Sequence, residues 1–360
     1  MDSALFDYDL PPGAIAQTPA ERRDAARLLV VERRSGRLAH HRVCDLPDLL
    51  GEPYLIFRNN ARVLRARLFG RRDTGGGMEC LLLRPAEDPE TWWCLLRPGK
   101  KLPRGAVFFV GEAAEGEVLE KTDEGPCRVR FRLPPALTVP GLAERHGRMP
   151  LPPYIRREKV DDPHAEMDRE RYDTVYAQPD RPVAAAAPTA GLHFTPELLT
   201  RLEERGHTFH DLTLHVGLDT FRPIQTEQVE DHAMHAETYE LPVETARALA
   251  HPAGRRRLAI GTTSLRASED FLRHGPKVPP EGPPGPLLTS TRLYVYPPAE
   301  LAMEALLTNF HLPRSTLLCL VSAFLTPGET RGIAWLKEIY AEALAQDYRF
   351  YSYGDAMLIL

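Results

Sequence analysis

The densest run of titratable groups in the sequence is Asp231 to Glu237 (DHAMHAE), where His232, His235 and Glu237 fall within six residues. Three potential ligands so close together allow a zinc site. Against that reading, His-x-x-His is a poorer one-face helical spacing than i, i+4, and no His-Glu-x-x-His run is present. The other reading is hydrogen bonding and proton transfer, for which an imidazole titrating near pH 6.5 suits neutral conditions. Two further segments combine small residues with histidine. Ala184 to Phe194 (AAAAPTAGLHF) brings Thr189, Gly191 and His193 together, and Leu214 to Phe221 (LHVGLDTF) sets His215 beside Gly217 with Thr220 downstream. Such a backbone can be approached closely by a ligand; the bland readings are a tight strand-to-helix loop and a satisfied core histidine.

Gly261 to Arg266 (GTTSLR) follows an apolar run and precedes a helical one, so Thr262, Thr263 or Ser264 is expected to cap a helix there. Unpaired N–H groups at a helix start favour a carboxylate or phosphate. Neither Gly-x-Gly-x-x-Gly nor Gly-x4-Gly-Lys-Ser/Thr occurs, which disfavours a dinucleotide or nucleoside triphosphate enzyme. Arg58 to Arg72 carries Arg58, Arg62, Arg65, Arg67, Arg71 and Arg72 without an acid. That run suits either a charge-protected edge strand or a phosphate-binding face. Leu307 to Thr316 (LTNFHLPRST) and Tyr348 to Asp355 (YRFYSYGD) put Asn309, His311, Tyr353 and Asp355 next to apolar runs, as pocket walls would.

The elements that must position these groups can be read from periodicity. Between residue 62 and about 150, short runs (Arg65 to Phe69, Glu79 to Leu83, Trp92 to Leu96, Ala106 to Val110, Arg128 to Leu133) alternate with turn clusters, which predicts small antiparallel strands in a barrel or sandwich. Elsewhere strands alternate with helices: Leu258 to Ile260 before Ser264 to Arg273, and Thr213 to Val216 before Val243 to Ala250. Thr195 and Pro196 open a helix that Gly206 closes, Ser315 caps a buried helix to Leu325, and Gly332 to Ala345 carries an apolar stripe. The expected class is α/β, with a discontinuous domain (1–61 and 151–360) interrupted by a β domain (62–150).

Composition narrows the function. With 360 residues, 43% hydrophobic and 26% charged, the chain is ordinary globular material. A net charge of −5 argues against coating nucleic acid through bulk charge, although six Lys and 39 Arg leave room for local basic faces. Thirty-four prolines, nearly twice the usual share of about 5%, concentrate in stretches such as Gly275 to Pro286 and predict stiff loops. Five cysteines without a Cys-x-x-Cys pair fit a reducing cytoplasm rather than a disulfide framework. No signal peptide is expected from the N-terminal residues, and Ser315 to Leu325 falls well short of the ~20 residues of a membrane helix.

In their order along the chain, these blocks resemble the S-adenosylmethionine:tRNA ribosyltransferase-isomerases of queuosine biosynthesis. The blocks are Arg22 to Leu29, Asn59 to Leu68 (NNARVLRARL), Met149 to Ile155 (MPLPPYI), Tyr172 to Ala177 (YDTVYA), Ala187 to Phe194, Thr213 to Phe221 and His232 to Glu237. Ile260 to Arg266, Leu307 to Phe324 and Tyr348 to Ile359 complete the set. Departures are Ala61 for the usual Thr, Asp219 for a usual Gly, Ser268 for a common Leu, and an approach at Ala184 to Ala187 two residues longer than usual.

The resemblance implies a large mixed α/β domain, partly open and barrel-like, with an inserted antiparallel six-stranded β-barrel. It implies transfer of the ribosyl part of S-adenosylmethionine to 7-aminomethyl-7-deazaguanine at the tRNA wobble position, rearrangement to epoxyqueuosine, and release of adenine and methionine. The partners would be tRNA and S-adenosylmethionine, with no metal, no membrane and a monomer. The expected base and acid lie among His193, His215, His235 and Glu237. Thr262, Thr263, Ser264 and Arg266 are expected at the methionine carboxylate, and Arg22, Asp24, Arg27, Asn60 and Arg62 at substrate or tRNA. Thr189, Gly191, Gly217, Thr220, His232, Asn309, His311, Tyr353 and Asp355 would complete the site. Rival readings are a metal-dependent hydrolase built on His232, His235 and Glu237, a non-catalytic tRNA-binding module, and a methyltransferase.

Overall fold

The computed structural model describes the chain outside residues 124, 159–161, 180–181, 184–186, 216–222, 235 and 280, and describes residues 182–183 by backbone alone. In chain order the first strands are β1 (Arg27–Val31), β2 (Leu38–Arg42), β3 (Tyr54–Asn59), β4 (Arg62–Val63), β5 (Arg67–Arg72) and β6 (Gly77–Pro85). Then come β7 (Thr91–Arg97), β8 (Val107–Val110), β9 (Ala114–Lys121), β10 (Cys127–Arg132), β11 (Pro182–Val183) and β12 (Thr208–Leu214). The last are β13 (Glu237–Leu241), β14 (Arg256–Ile260), β15 (Leu287–Thr291), β16 (Ala305–Asn309) and β17 (Ala356–Ile359). The helices are α1 (Leu46–Leu49), α2 (Val139–His146), α3 (Ala165–Arg171), α4 (Pro196–Glu204), α5 (Val243–Ala250), α6 (Gly261–His274), α7 (Thr316–Leu325) and α8 (Gly332–Ala345).

Nine strands form one mixed sheet in the order β15-β13-β12-β3-β14-β16-β17-β1-β2. Its centre, β12, β3, β14 and β16, is parallel, and antiparallel pairings flank it. Both faces are covered, so the central strands read as near-continuous apolar runs. Alternate residues serve opposite cores: Leu55 and Phe57 of β3 join Leu265 and Phe271 of α6 and the helices α7 and α8, while Tyr54 and Ile56 pack with Leu198 and Leu202 of α4.

The stretch expected to hold small strands closes into a six-stranded antiparallel barrel, β10-β7-β6-β5-β8-β9, from contiguous residues 67–132. Cys127, Val129 and Phe131 of β10 point inward and Arg128, Arg130 and Arg132 outward. Its sixth strand, β9 (AEGEVLEK), is not among the runs that alternation marks, because its outward positions are glutamates. Helix α2, which periodicity also does not reveal, presents Val139, Leu142 and Ala143 to the barrel core.

Predicted helix starts hold where a hydroxyl does the capping. Thr195 accepts from the Leu198 N–H at 3.1 Å and Ser315 from the Leu318 N–H at 3.2 Å. Helix α6 corrects the expectation: it begins at Gly261, at φ +86°, and no side chain caps it. The left-handed glycine turns β14 directly into the helix, so none of Thr262, Thr263 or Ser264 is needed as a cap. The strand expected at Thr213 to Val216 begins earlier, at Thr208; Val216 lies outside the described residues.

Candidate active site

The carboxyl ends of β3, β12, β14 and β16 lie on one edge of the sheet, where open α/β sheets bind ligands. A pocket of about 50 Å³ opens there, lined by Thr189, Thr262, Thr263, Asn309, His311, Ser315 and Tyr351 among others. Three segments that chemistry singled out in the sequence thus meet: the turn Thr189–His193, the start of α6 and the loop after β16.

Asn309 organises the pocket. Its Oδ1 accepts from the Thr189 hydroxyl at 2.9 Å, which fixes the amide so that Nδ2 faces His193 Nε2 at 3.1 Å. The Tyr351 and Asp355 carbonyls accept from the same nitrogen at 3.3 and 3.5 Å. Assigned from this network, Nε2 of His193 is the acceptor and Nδ1 bears the proton. Burial, assisted by the Arg349 and Arg23 charges, pushes His193 down to about 4, so the imidazole is neutral at pH 7. His311, fully desolvated, falls to about 3; its Nε2 meets the Thr308 hydroxyl at 2.9 Å.

Opposite them, the uncapped start of α6 faces the pocket through Gly261, Thr262 and Thr263. Thr263 Oγ1 and the fully buried Ser264 Oγ have no protein partner. A helix start with spare donors is an anion site. Gly191 is required by close approach: a Cβ there would stand 2.0 Å from the Tyr176 hydroxyl.

The remaining predicted residues fall into three groups. On the far side of His193, a small depression is shared with Arg23 and Tyr353. Nearby, Arg22 pairs with buried Asp24 at 3.1 Å, and Arg27 stacks 3.9 Å over Tyr348. Asp355 accepts from the Arg27 and Arg349 N–H groups at 2.9 and 2.8 Å, tying β1 to the loop before β17. A second group lies beyond β3, where Asn60 accepts from the Thr213 hydroxyl at 2.7 Å. Arg62 lies 3.3 Å from Glu144 and 3.9 Å from Asp173, whose carboxyl burial pushes up to about 6.

The third group lies toward β13. Glu237 forms a buried ion pair with Arg266, whose Nε donates to the Leu293 carbonyl at 2.8 Å, and neither residue lines the pocket. His232 rests edge-on against Tyr294 at 5.6 Å, and His215 is exposed just after β12. His235, Gly217 and Thr220, together with the departure Asp219, lie outside the described residues. Among the described residues no three His, Cys, Asp or Glu side chains are grouped to hold a metal.

Sequence reasoning missed Arg23, Tyr154, Asp168 and Arg157. Arg23 donates to the Leu192 and Glu170 carbonyls at 3.1 and 2.9 Å, anchoring the His193 turn. Arg157 grips Asp168 bidentately at 2.6 and 2.9 Å, and Asp168 accepts from the Tyr353 hydroxyl at 2.8 Å. The Tyr154 hydroxyl meets Ser352 at 2.6 Å. Arg23 and Tyr154 lie inside quoted blocks without being singled out, and Arg157 and Asp168 fall just outside them. The acid-free run Arg58 to Arg72 is neutralised from elsewhere: Arg58 by Asp211 at 2.6 Å, Arg65 by Glu144 at 3.6 Å and Arg67 by Glu79 at 3.1 Å.

A family model described as "Queuosine biosynthesis protein" matches residues 3–359. The chain is 45% identical to the S-adenosylmethionine:tRNA ribosyltransferase-isomerase of Rubrobacter xylanophilus, covering 99% of this chain and 96% of that one. It is also 45% identical to the protein of the same name from Symbiobacterium thermophilum, over 99% and 98%. The crystal structure of S-adenosylmethionine tRNA ribosyltransferase from Thermotoga maritima superposes with a TM-score of 0.53 at 33% identity, covering 99% and 100% of the two chains. This chain therefore belongs to the queuosine biosynthesis protein family, from its first 3-10 turn to its last strand.

Proposed function

We propose that the chain is an S-adenosylmethionine:tRNA ribosyltransferase-isomerase, moving the ribosyl part of S-adenosylmethionine onto 7-aminomethyl-7-deazaguanine in tRNA. The carrying observation is the end-to-end similarity at 45% identity to relatives of that name. The β-barrel within 62–150 is then the inserted unit, and 1–61 with 151–360 the catalytic one.

The chemistry fits the groups around the pocket. A sulfonium acidifies the neighbouring ribose 5′ C–H; removing that proton gives an ylide, whose electrons open the sugar and expel adenine. Adenine takes up a proton as it leaves, and methionine departs later as a neutral thioether. The α6 start is assigned to the methionine carboxylate: its N–H groups and the Thr263 hydroxyl, which lines the pocket, are spare. Arg266, committed to Glu237, acts there only through packing. His193, its neutral Nε2 accepting from Asn309, is assigned to hold that amide in place at the pocket wall. The base is then assigned to His215, exposed just after β12, or to His235, outside the described residues.

A metal-dependent hydrolase finds less support, because the Glu237 carboxylate it needs is paired with Arg266. The test is product identification with purified protein, S-adenosylmethionine and tRNA carrying the aminomethyl base. Adenine and methionine should appear in equal amounts only when all three are present, and S-adenosylhomocysteine in their place would refute the assignment.

A further inference from the structure

A second cavity lies beside the site above. It is a cleft of about 980 Å³ between barrel strands β5, β6 and β7 on one bank and the segment from Arg145 to Arg169 on the other. Among the described residues eight arginines and five carboxylates line it. Small-molecule pockets are mostly apolar with a few polar groups, so a wall this charged is a different kind of surface.

The lining charges do not cancel. Glu79 is held by Arg67 at 3.1 Å, Asp168 by Arg157 at 2.6 Å and Glu166 by Arg169 at 3.7 Å, while Arg65 is tied to Glu144. Arg97, Arg145, Arg148 and Arg156 remain. Among the described residues none of the four has a carboxylate within ion-pair distance. Among the described residues, Glu158 and Asp162 are the lining acids outside those pairs. Arg97 comes from β7, Arg145 from α2 on the barrel, Arg148 from the stretch whose backbone pairs with Arg67 of β5, and Arg156 from the far wall; Arg148 also lies 5.2 Å over Phe69. Four guanidiniums without a carboxylate partner, spread over two banks, suit a chain of phosphates rather than one compact anion, because each can take a different phosphate.

The cleft also leads to the candidate active site. The segment that forms its far wall includes Ile155 and Arg157, and its neighbour Tyr154 lines the pocket beside Asn309. Asp168 faces the cleft and accepts from Tyr353, which lines the depression at His193.

We propose that this cleft, rather than the Arg58 to Arg72 run as a whole, carries the phosphodiester backbone of the RNA substrate, through Arg97, Arg145, Arg148 and Arg156. The proposal rests on the reading of the protein as a tRNA-modifying enzyme and adds the surface that reading lacks. Removing one phosphate-binding cation makes the slope of log affinity against log salt shallower by about 0.9.

The test compares R97A/R145A/R156A with R84A/R104A/R130A, which removes equal charge from exposed barrel positions outside the cleft. Binding of an unmodified anticodon stem-loop RNA is measured from 50 to 300 mM salt. The cleft variant should show a slope shallower by about 2 to 3 and a KM for tRNA raised at least tenfold, with kcat at saturating tRNA unchanged. The control variant should match the unaltered protein. Equal losses in both variants, an unchanged slope in the cleft variant, or no RNA binding by the unaltered protein would each overturn the proposal. Failure of the enzymatic reading alone would look different: cleft-dependent RNA binding with no adenine released.

Discussion

Asn309 and His193 show how much of the site depends on single atoms. The Thr189 hydroxyl orients the Asn309 amide, the amide selects the His193 tautomer, and burial keeps that imidazole neutral. Asn309→Asp places an acceptor where Nε2 needs a donor; kcat should fall about 100-fold or more, an expectation scaled on losing one positioned donor, with native circular dichroism retained. Neutral burial also has a stability signature. His193 is pushed down to about 4 and His311 to about 3, while the unfolded chain protonates near 6.5. Below pH 6.5 the unfolded state therefore binds more protons, so stability falls as pH drops, by about 2 kcal/mol per histidine at pH 5. Urea midpoints from pH 7 to 5 should fall less steeply for H193Q/H311Q than for the unaltered protein; parallel slopes would disprove the effect. At the Glu237–Arg266 pair, Glu237→Gln strands a buried guanidinium and should cost about 3–5 kcal/mol in urea unfolding, and adding Arg266→Met should restore most of it.

Elements were the most legible level, for reasons visible in particular cases. β14 read as a strand because Leu258 to Ile260 are buried on both faces, and the α7 start was plain because Ser315 stands just before an apolar run. Ser315→Ala removes the hydrogen bond to the Leu318 N–H and should cost about 1 kcal/mol in thermal or chemical unfolding. The α6 start misled because the conformation that replaces a cap, Gly261 at φ +86°, leaves no side-chain trace. β9 escaped because Glu115, Glu117 and Glu120 mask an inward row of Ala114, Gly116 and Val118. Site residues were legible where a motif lies within one loop, as at Thr189–His193. The Glu237–Arg266 pair and the neutralising of Arg65 by Glu144 join residues 29 and 79 apart in sequence, and no local pattern encodes such a meeting.

At the scale of the whole molecule, a modest net negative charge coexists with a cleft in which Arg97, Arg145, Arg148 and Arg156 have no carboxylate partner among the described residues, so the field is local rather than global. The barrel closes around its own thiols: Cys80, Cys94 and Cys127 are buried in it and Cys319 in the main core, while Cys44 is half-buried. Native protein should therefore release one equivalent of thiol to Ellman's reagent and five only after unfolding. Three additional thiols reacting in native buffer would show that the barrel opens as an independent unit. The central claim, transfer of a ribose-derived carbon skeleton to RNA, is tested most directly by labelling. Incubation of the protein and acceptor tRNA with S-adenosylmethionine carrying ¹³C in its ribose should yield a modified nucleoside bearing all five labelled carbons after tRNA digestion. Label confined to the small-molecule fraction, or a tRNA labelled only when the ¹³C is placed in the S-methyl group, would contradict the account.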